Sequence, residues 1–286
     1  MAKGIFVGLS TIDVVHSVVE FPKSNSKVEA ESQELFVGGP ATNAAVAFAH
    51  LGGKPGLVTV VGRNIMSSVL IDEFRRHSIQ PFDLYPEFTQ APVISSVSVN
   101  RAGERNVVSA NATRISAPAA RIDDAALQDA SVVMVDGHFM EACQAWSAAA
   151  RAKGIHVVLD GGSWKSGTEE LLRSVDTAIC SADFRPPGCS TEDQVLAYLQ
   201  AHGVLRIALT NGAEPVCFVS PSASGVLRVP QVEVADTLGA GDFFHGAFCY
   251  YLATGCGMVE ALAEAAKVAS ESCRYAGTRE WLKHPI

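Results

Sequence analysis

Short unbroken apolar runs alternate with longer segments of helical periodicity along most of this chain. Residues 4–9, 56–61, 131–135, 155–159, 177–180 and 205–209 have the length and apolar content of strands buried on both faces. Between them, residues 41–51, 65–77, 140–153, 192–201, 240–253 and 258–275 carry helical patterns. The alternation predicts an α/β fold, a mostly parallel central sheet with helices on both faces. In such sheets ligands bind beyond the carboxyl ends of the strands, where the loops gather.

Two regions break the rhythm. Residues 11–37 and 91–109 hold alternating, strand-like segments with no helix between them, such as Val14-Val15-His16-Ser17-Val18-Val19. They are expected to pair as a small sheet lying over the site as a lid. Strands without covering helices leave an apolar edge or face, so this lid is the expected surface of a homodimer. No internal repeat or linker interrupts the remainder, and residues 1–286 are read as one domain.

Composition narrows the partners. The chain has 286 residues, 48% of them hydrophobic, enough to bury a large core. Its net charge of −8, without any basic stripe, argues against nucleic acid or an anionic membrane as partner. The seven cysteines are scattered and form no Cys-x-x-Cys pair, which disfavours structural zinc and fits a reduced, cytoplasmic setting. No apolar stretch reaches membrane-spanning length.

The chemistry concentrates in two glycine-rich turns. Asp236-Thr237-Leu238-Gly239-Ala240-Gly241-Asp242 runs from a β-like stretch at 229–234 into an apolar helix. Small residues at a helix N-terminus let several N–H groups converge on an anion. An acid beside an anion cradle is electrostatically costly. It makes sense if Asp242 takes a proton from a hydroxyl that attacks phosphorus. The second turn, Gly38-Gly39-Pro40-Ala41-Thr42-Asn43, also opens a helix. Its paired glycines suit a hinge or a close backbone approach, and Asn43 can donate and accept at once, as a sugar hydroxyl requires.

Together these motifs resemble the PfkB/ribokinase family of ATP-dependent sugar kinases. Gly38-Gly39 through Asn43, then Gly52 and Gly62, are similar to its first signature. Asp236 to Asp242 with Gly246-Ala247 are similar to its second. Within the family, the wording of the second signature resembles ketohexokinases and sulfofructose kinases as much as ribokinases. The resemblance spans essentially the whole chain. It implies a ribokinase-like fold and ATP-dependent phosphorylation of a sugar's primary alcohol, with Asp242 as base and the backbone N–H groups of Gly239, Ala240 and Gly241 as the anion hole. Asp13, Gly38, Gly39, Asn43 and Asp136 would lie on the sugar side, Thr210 and Gly212 by the nucleotide. Asp236 and neighbouring carbonyls would hold a monovalent cation such as K⁺. The family's Asn-x-x-Glu element is replaced here by Ser181-Ala182-Asp183-Phe184, leaving Asp183 as the acid near magnesium-linked waters.

Other readings are weaker. No Gly-x-x-x-x-Gly-Lys-Ser/Thr string occurs, so a Walker-type loop is excluded. A nucleoside kinase of the same fold would want aromatic lid residues, for which the chain offers Phe21 and Phe36 among many polar ones. A catalytically idle sugar- or nucleotide-binding regulator would fit the altered magnesium element, but not the intact Gly-Ala-Gly-Asp.

Overall fold

Strand parity builds the core. The computed structural model describes residues 1–285 except 103, 111, 116 and 118–121. In strand β1 (Lys3–Val7), Phe6 faces one side of the sheet while Ile5 and Val7 face the other. The same split repeats in the parallel strands beside it. Strand β2 (Thr11–Val18) then leaves this layer, pairs antiparallel with β3 (Ser32–Gly38), and leads into helix α1 (Pro40–His50). The chain returns through β4 (Lys54–Thr59), α2 (Ser67–Arg76) and β5 (Gln80–Asp83), an edge strand that accommodates Pro81.

Strands β6 (Val93–Asn100) and β7 (Arg105–Ser109) rejoin β2 and β3 in a four-stranded sheet of order β3-β2-β6-β7. The two irregular segments therefore pair as expected, with β2 and β6 running parallel. Leu35, Val107 and Val108 are exposed on this smaller sheet.

The rest of the chain completes the large layer. A one-turn helix α3 (Asp124–Leu127) precedes β8 (Val132–Val135), followed by α4 (Met140–Ala152), β9 (His156–Gly161), α5 (Thr168–Leu172) and β10 (Thr177–Ser181). Then come α6 (Glu192–Ala201), β11 (Arg206–Thr210), and the antiparallel hairpin of β12 (Val216–Val219) and β13 (Ser224–Leu227). Helices α7 (Ala240–Ala253) and α8 (Met258–Ser272) close the fold. The nine-stranded sheet has the order β13-β12-β11-β10-β9-β8-β1-β4-β5, parallel from β11 to β5. One face packs on α1, α7 and α8, the other on α4 and α6.

The β-like stretch expected at 229–234 is not a strand. Pro230 withholds an N–H from any ladder. The segment is instead pinned through Ser270 Oγ, which donates to the Pro230 carbonyl at 3.0 Å, and the Ala235 N–H, which donates to Cys273 O at 2.8 Å. Helix α7 lies so close to α1 that a Cβ on Gly246 would collide with the Ala44 carbonyl, so the glycine sets the spacing of the two helices that carry the site.

Candidate active site

Helix α7 begins at Gly239, whose φ of 78° places it in the left-handed region that glycine tolerates. Asp236 shapes the turn before it. One carboxylate oxygen accepts the Leu238 N–H and the other the Gly277 N–H, each at 2.9 Å, fastening the turn to the segment after α8. The Ala240 N–H is directed at Thr237 O at 3.3 Å, while the N–H groups of Gly239 and Gly241 meet no acceptor among the described residues. A Cβ on Gly241 would meet nothing within 4 Å. The turn therefore opens onto free space.

That space is a cavity of about 480 Å³, lined by Ala240, Gly241, Asp183, Thr210, Gly212 and, from the smaller sheet, Arg105. Gly212 takes a φ of 55° in the turn between β11 and β12. The Thr210 hydroxyl donates to Cys180 O at 3.4 Å, tying this wall to the sheet. Asp183 is exposed, and its carboxylate accepts no hydrogen bond among the described residues. The residues assigned to the nucleotide and magnesium side thus share one cavity with the helix N-terminus.

Asp242 lies in the first turn of α7, half-buried, with its Oδ2 accepting the Asn43 Nδ2–H at 2.8 Å. Burial pushes its carboxyl up to about 7, the charge of Asp160 adding to this and the Asn43 hydrogen bond and His245 opposing it. Asp160, at the end of β9, is buried, and burial pushes its own carboxyl up against the pull of His245. His245 turns inward from α7. Its Nδ1 is 2.7 Å from Gly241 O, and its Nε2 is 3.1 Å from Ile179 O and 3.5 Å from Asp160 Oδ1.

The first glycine turn sits opposite. A Cβ on Gly38 would collide with Asp13 Oδ2, and one on Gly39 with the Leu9 carbonyl. Asp13 is buried on β2, and burial raises its pKa against the hydroxyls of Thr11 and Ser95 and the charge of Arg279. Asn43 is buried and already spans two partners, donating to Asp242 and accepting from Arg279 Nη1 at 3.0 Å. Asp136 is engaged by backbone N–H groups. It is buried, and its carboxylate accepts N–H bonds from Leu9 at 2.8 Å, Ala41 at 3.3 Å and His138 at 2.8 Å. It joins the ends of β1 and β8 to the start of α1 and leaves little of itself for a ligand.

Two participants escaped the sequence reading. Asp160 follows a strand read as ending at Leu159, and nothing in the local pattern marks its approach to α7. Arg279 lies in an unpatterned stretch after α8, and its partners are distant in sequence. The only available signals were an acid at a strand's carboxyl end, for Asp160, and an arginine following a Gly-Thr pair, for Arg279. Among the described residues, no cluster of three or more His, Cys, Asp or Glu side chains is arranged to hold a metal, and no helix is long and apolar enough to cross a membrane.

The family model for pfkB family carbohydrate kinases matches residues 1–284. In sequence the chain is similar to the ribokinase of Haemophilus influenzae, 22% identical over 252 residues that cover 85% of this chain and 82% of that protein. In structure it is similar to the ribokinase of Thermotoga maritima, with a TM-score of 0.81, 22% identity and coverage of 99% of this chain and 98% of that one. It is also similar to an Arabidopsis thaliana ribokinase complexed with ribose and ATP, with a TM-score of 0.78, 21% identity and full coverage of both chains. With a match from end to end of its sequence, a parallel sheet carrying a smaller one, and an acid in the first turn of α7, the chain belongs to the pfkB family of carbohydrate kinases.

Proposed function

We propose that the protein transfers the γ-phosphoryl group of ATP to a primary alcohol of a sugar, with Asp242 as general base. The observation that carries this reading is that Asp242 sits in the same first turn of α7 whose Ala240 and Gly241 line the 480 Å³ cavity, with the N–H groups of Gly239 and Gly241 lacking acceptors among the described residues. The alcohol proton passes to Asp242, the alcohol oxygen bonds to phosphorus, and the bond from phosphorus to the ADP oxygen breaks. The N–H groups of Gly239 and Gly241 offset charge on the transferred group, and Ala240 adds its N–H by exchanging its long turn contact. Asp13, Asn43 and the Gly38-Gly39 backbone orient the sugar, while Thr210 and Gly212 border the nucleotide.

The residues present fit ATP, since an open helix N-terminus and a cavity of nucleotide size adjoin. Magnesium would lower the charge of the phosphates, and Asp183 is the exposed carboxylate that fits its hydration shell. A monovalent cation would be held by carbonyls around Asp236, whose own carboxylate is engaged in shaping the turn. The smaller sheet is assigned as a lid over the sugar and, through exposed Leu35, Val107 and Val108, as a homodimer surface.

Asp242→Asn tests the reading. Turnover should fall by about 100- to 10,000-fold, the usual worth of a general base. A group whose folded pKa is raised stabilises below its unfolded value and loses that contribution as pH rises through the folded one. The variant should therefore melt higher than wild type above pH 7, while losing activity. A kcat within threefold of wild type rules out the assigned role.

A further inference from the structure

Arg279 occupies a position that the chemistry above does not use. Its side chain is 15% exposed and reaches three elements from the turn after α8. Nε donates to Glu73 Oε1 on α2 at 2.6 Å, Nη1 to Asn43 Oδ1 on α1 at 3.0 Å, and Nη2 to the Val37 carbonyl at the root of β3 at 2.6 Å. Nη1 also donates to its neighbour's carbonyl, Thr278 O, at 2.9 Å. Glu73 is the counter-charge. Burial pushes its carboxyl up, but His77, whose Nε2 lies 3.2 Å from Oε1, and the Arg279 guanidinium together hold it down at about 2. Arg76 binds its other oxygen at 2.6 Å.

The direction of these bonds matters. A guanidinium carries donors only, so whichever end of the Asn43 amide faces it must be the oxygen. The amide nitrogen is then turned toward Asp242, where the 2.8 Å bond is found. Were the amide reversed, two oxygen atoms would face each other across that gap unless Asp242 held a proton. The same guanidinium grips the last carbonyl before Gly38-Gly39, so the root of the lid and the amide beside the base share one anchor.

We infer that Arg279 is a positioning residue that fixes the Asn43 amide with its N–H toward Asp242 and fastens the root of the smaller sheet to that amide. The inference gives the base of the proposed reaction a specific partner, and so rests on that reading for its catalytic meaning. The hydrogen-bond relay itself is independent of it. The other charged and titratable groups facing Asp242 are Asp160 from β9, Asp136 after β8 and His245 on α7. Those facing Arg279 are Glu73 and Asp13 besides Asp242. Substituting Arg279 leaves every one of them in place, so a change transmitted to Asp242 through Asn43 is separable.

The test is the titration of the Asp242 carboxyl followed by carbon NMR in aspartate-labelled protein, its signal assigned by loss in Asp242→Asn. This readout needs no activity, so a failure of the kinase reading leaves it intact. In Arg279→Lys a single ammonium pairs with Glu73 and no longer spans to Asn43 Oδ1, although the charge remains. The midpoint should rise by about one pH unit, the worth of a charge-assisted hydrogen bond. In an Asn43→Ala background, Arg279→Lys should produce no further shift. If Arg279→Lys does not fold, the Glu73→Gln/Arg279→Met pair replaces it; because it also removes the Arg279 charge acting on Asp242 and Asp13, the part of its shift that disappears in the Asn43→Ala background is the part read as the relay. An unshifted midpoint, or an equal shift with and without Asn43, overturns the inference.

Discussion

The two glycine turns begin helices in the same way and do opposite things. At the head of α7, a side chain on Gly241 would enter empty space, and the N–H groups of Gly239 and Gly241 are without acceptors among the described residues. At the head of α1, a side chain on Gly38 or Gly39 would strike Asp13 or the Leu9 carbonyl, and the Ala41 N–H is taken by Asp136. One turn is small so that a ligand can approach. The other is small so that the protein can approach itself. Similar letters in a sequence do not separate these cases; what surrounds each missing Cβ does.

The sharpest break of this comparison is a side chain in the packed turn. Gly39→Ala places a Cβ against backbone at a φ of 95°. It should cost about 3 kcal/mol or more, combining left-handed strain with overpacking. Denaturant unfolding measures this directly, and a loss below about 1 kcal/mol would mean that the turn relaxes freely.

Gly241→Val is the matched substitution in the open turn. Its φ is ordinary and its surroundings are empty, so the fold should melt within a few degrees of wild type. The isopropyl group should instead occupy the phosphate approach. The KM for ATP should rise by roughly tenfold or more, equivalent to losing about 1.4 kcal/mol of binding. Unchanged ATP kinetics in the folded variant would place the phosphates elsewhere.

The α7 turn was legible because its signal is local: small residues and an acid at the start of an apolar helix. The buried strands were legible too, since parallel strands covered on both faces read as continuous apolar runs. The roles of the α1 glycines were not, because Asp13 and Leu9 approach them through tertiary structure. The resemblance puts Asp136 on the sugar side, and the three N–H groups that its carboxylate accepts come together through tertiary structure that the sequence does not display. Arg279 was invisible for a related reason. Its burial depends on Glu73 and Asn43, more than 200 positions away. The 229–234 stretch misled because apolar alternation outweighed a single proline.

A smaller effect is expected on the exposed face of the lid, at β7. Val108→Asp on β7 puts a charge on the most exposed apolar position of the smaller sheet, 74% accessible. If that face joins two copies, the variant should shift from dimer to monomer in light scattering while its melting temperature changes little. A wild-type protein that is already monomeric at micromolar concentration would remove the dimer from the account.

The central claim is that the open turn of α7 is where phosphoryl transfer occurs and that Asp242 is its base. The direct test is the pH dependence of kcat/KM for an accepted sugar at saturating ATP. A base must be deprotonated to act, and burial holds this carboxyl at about 7. The rate should therefore be on a plateau above that value and fall by about tenfold per pH unit below it. A rate that stays flat through pH 7 and declines only in the ordinary carboxylate range would contradict the claim.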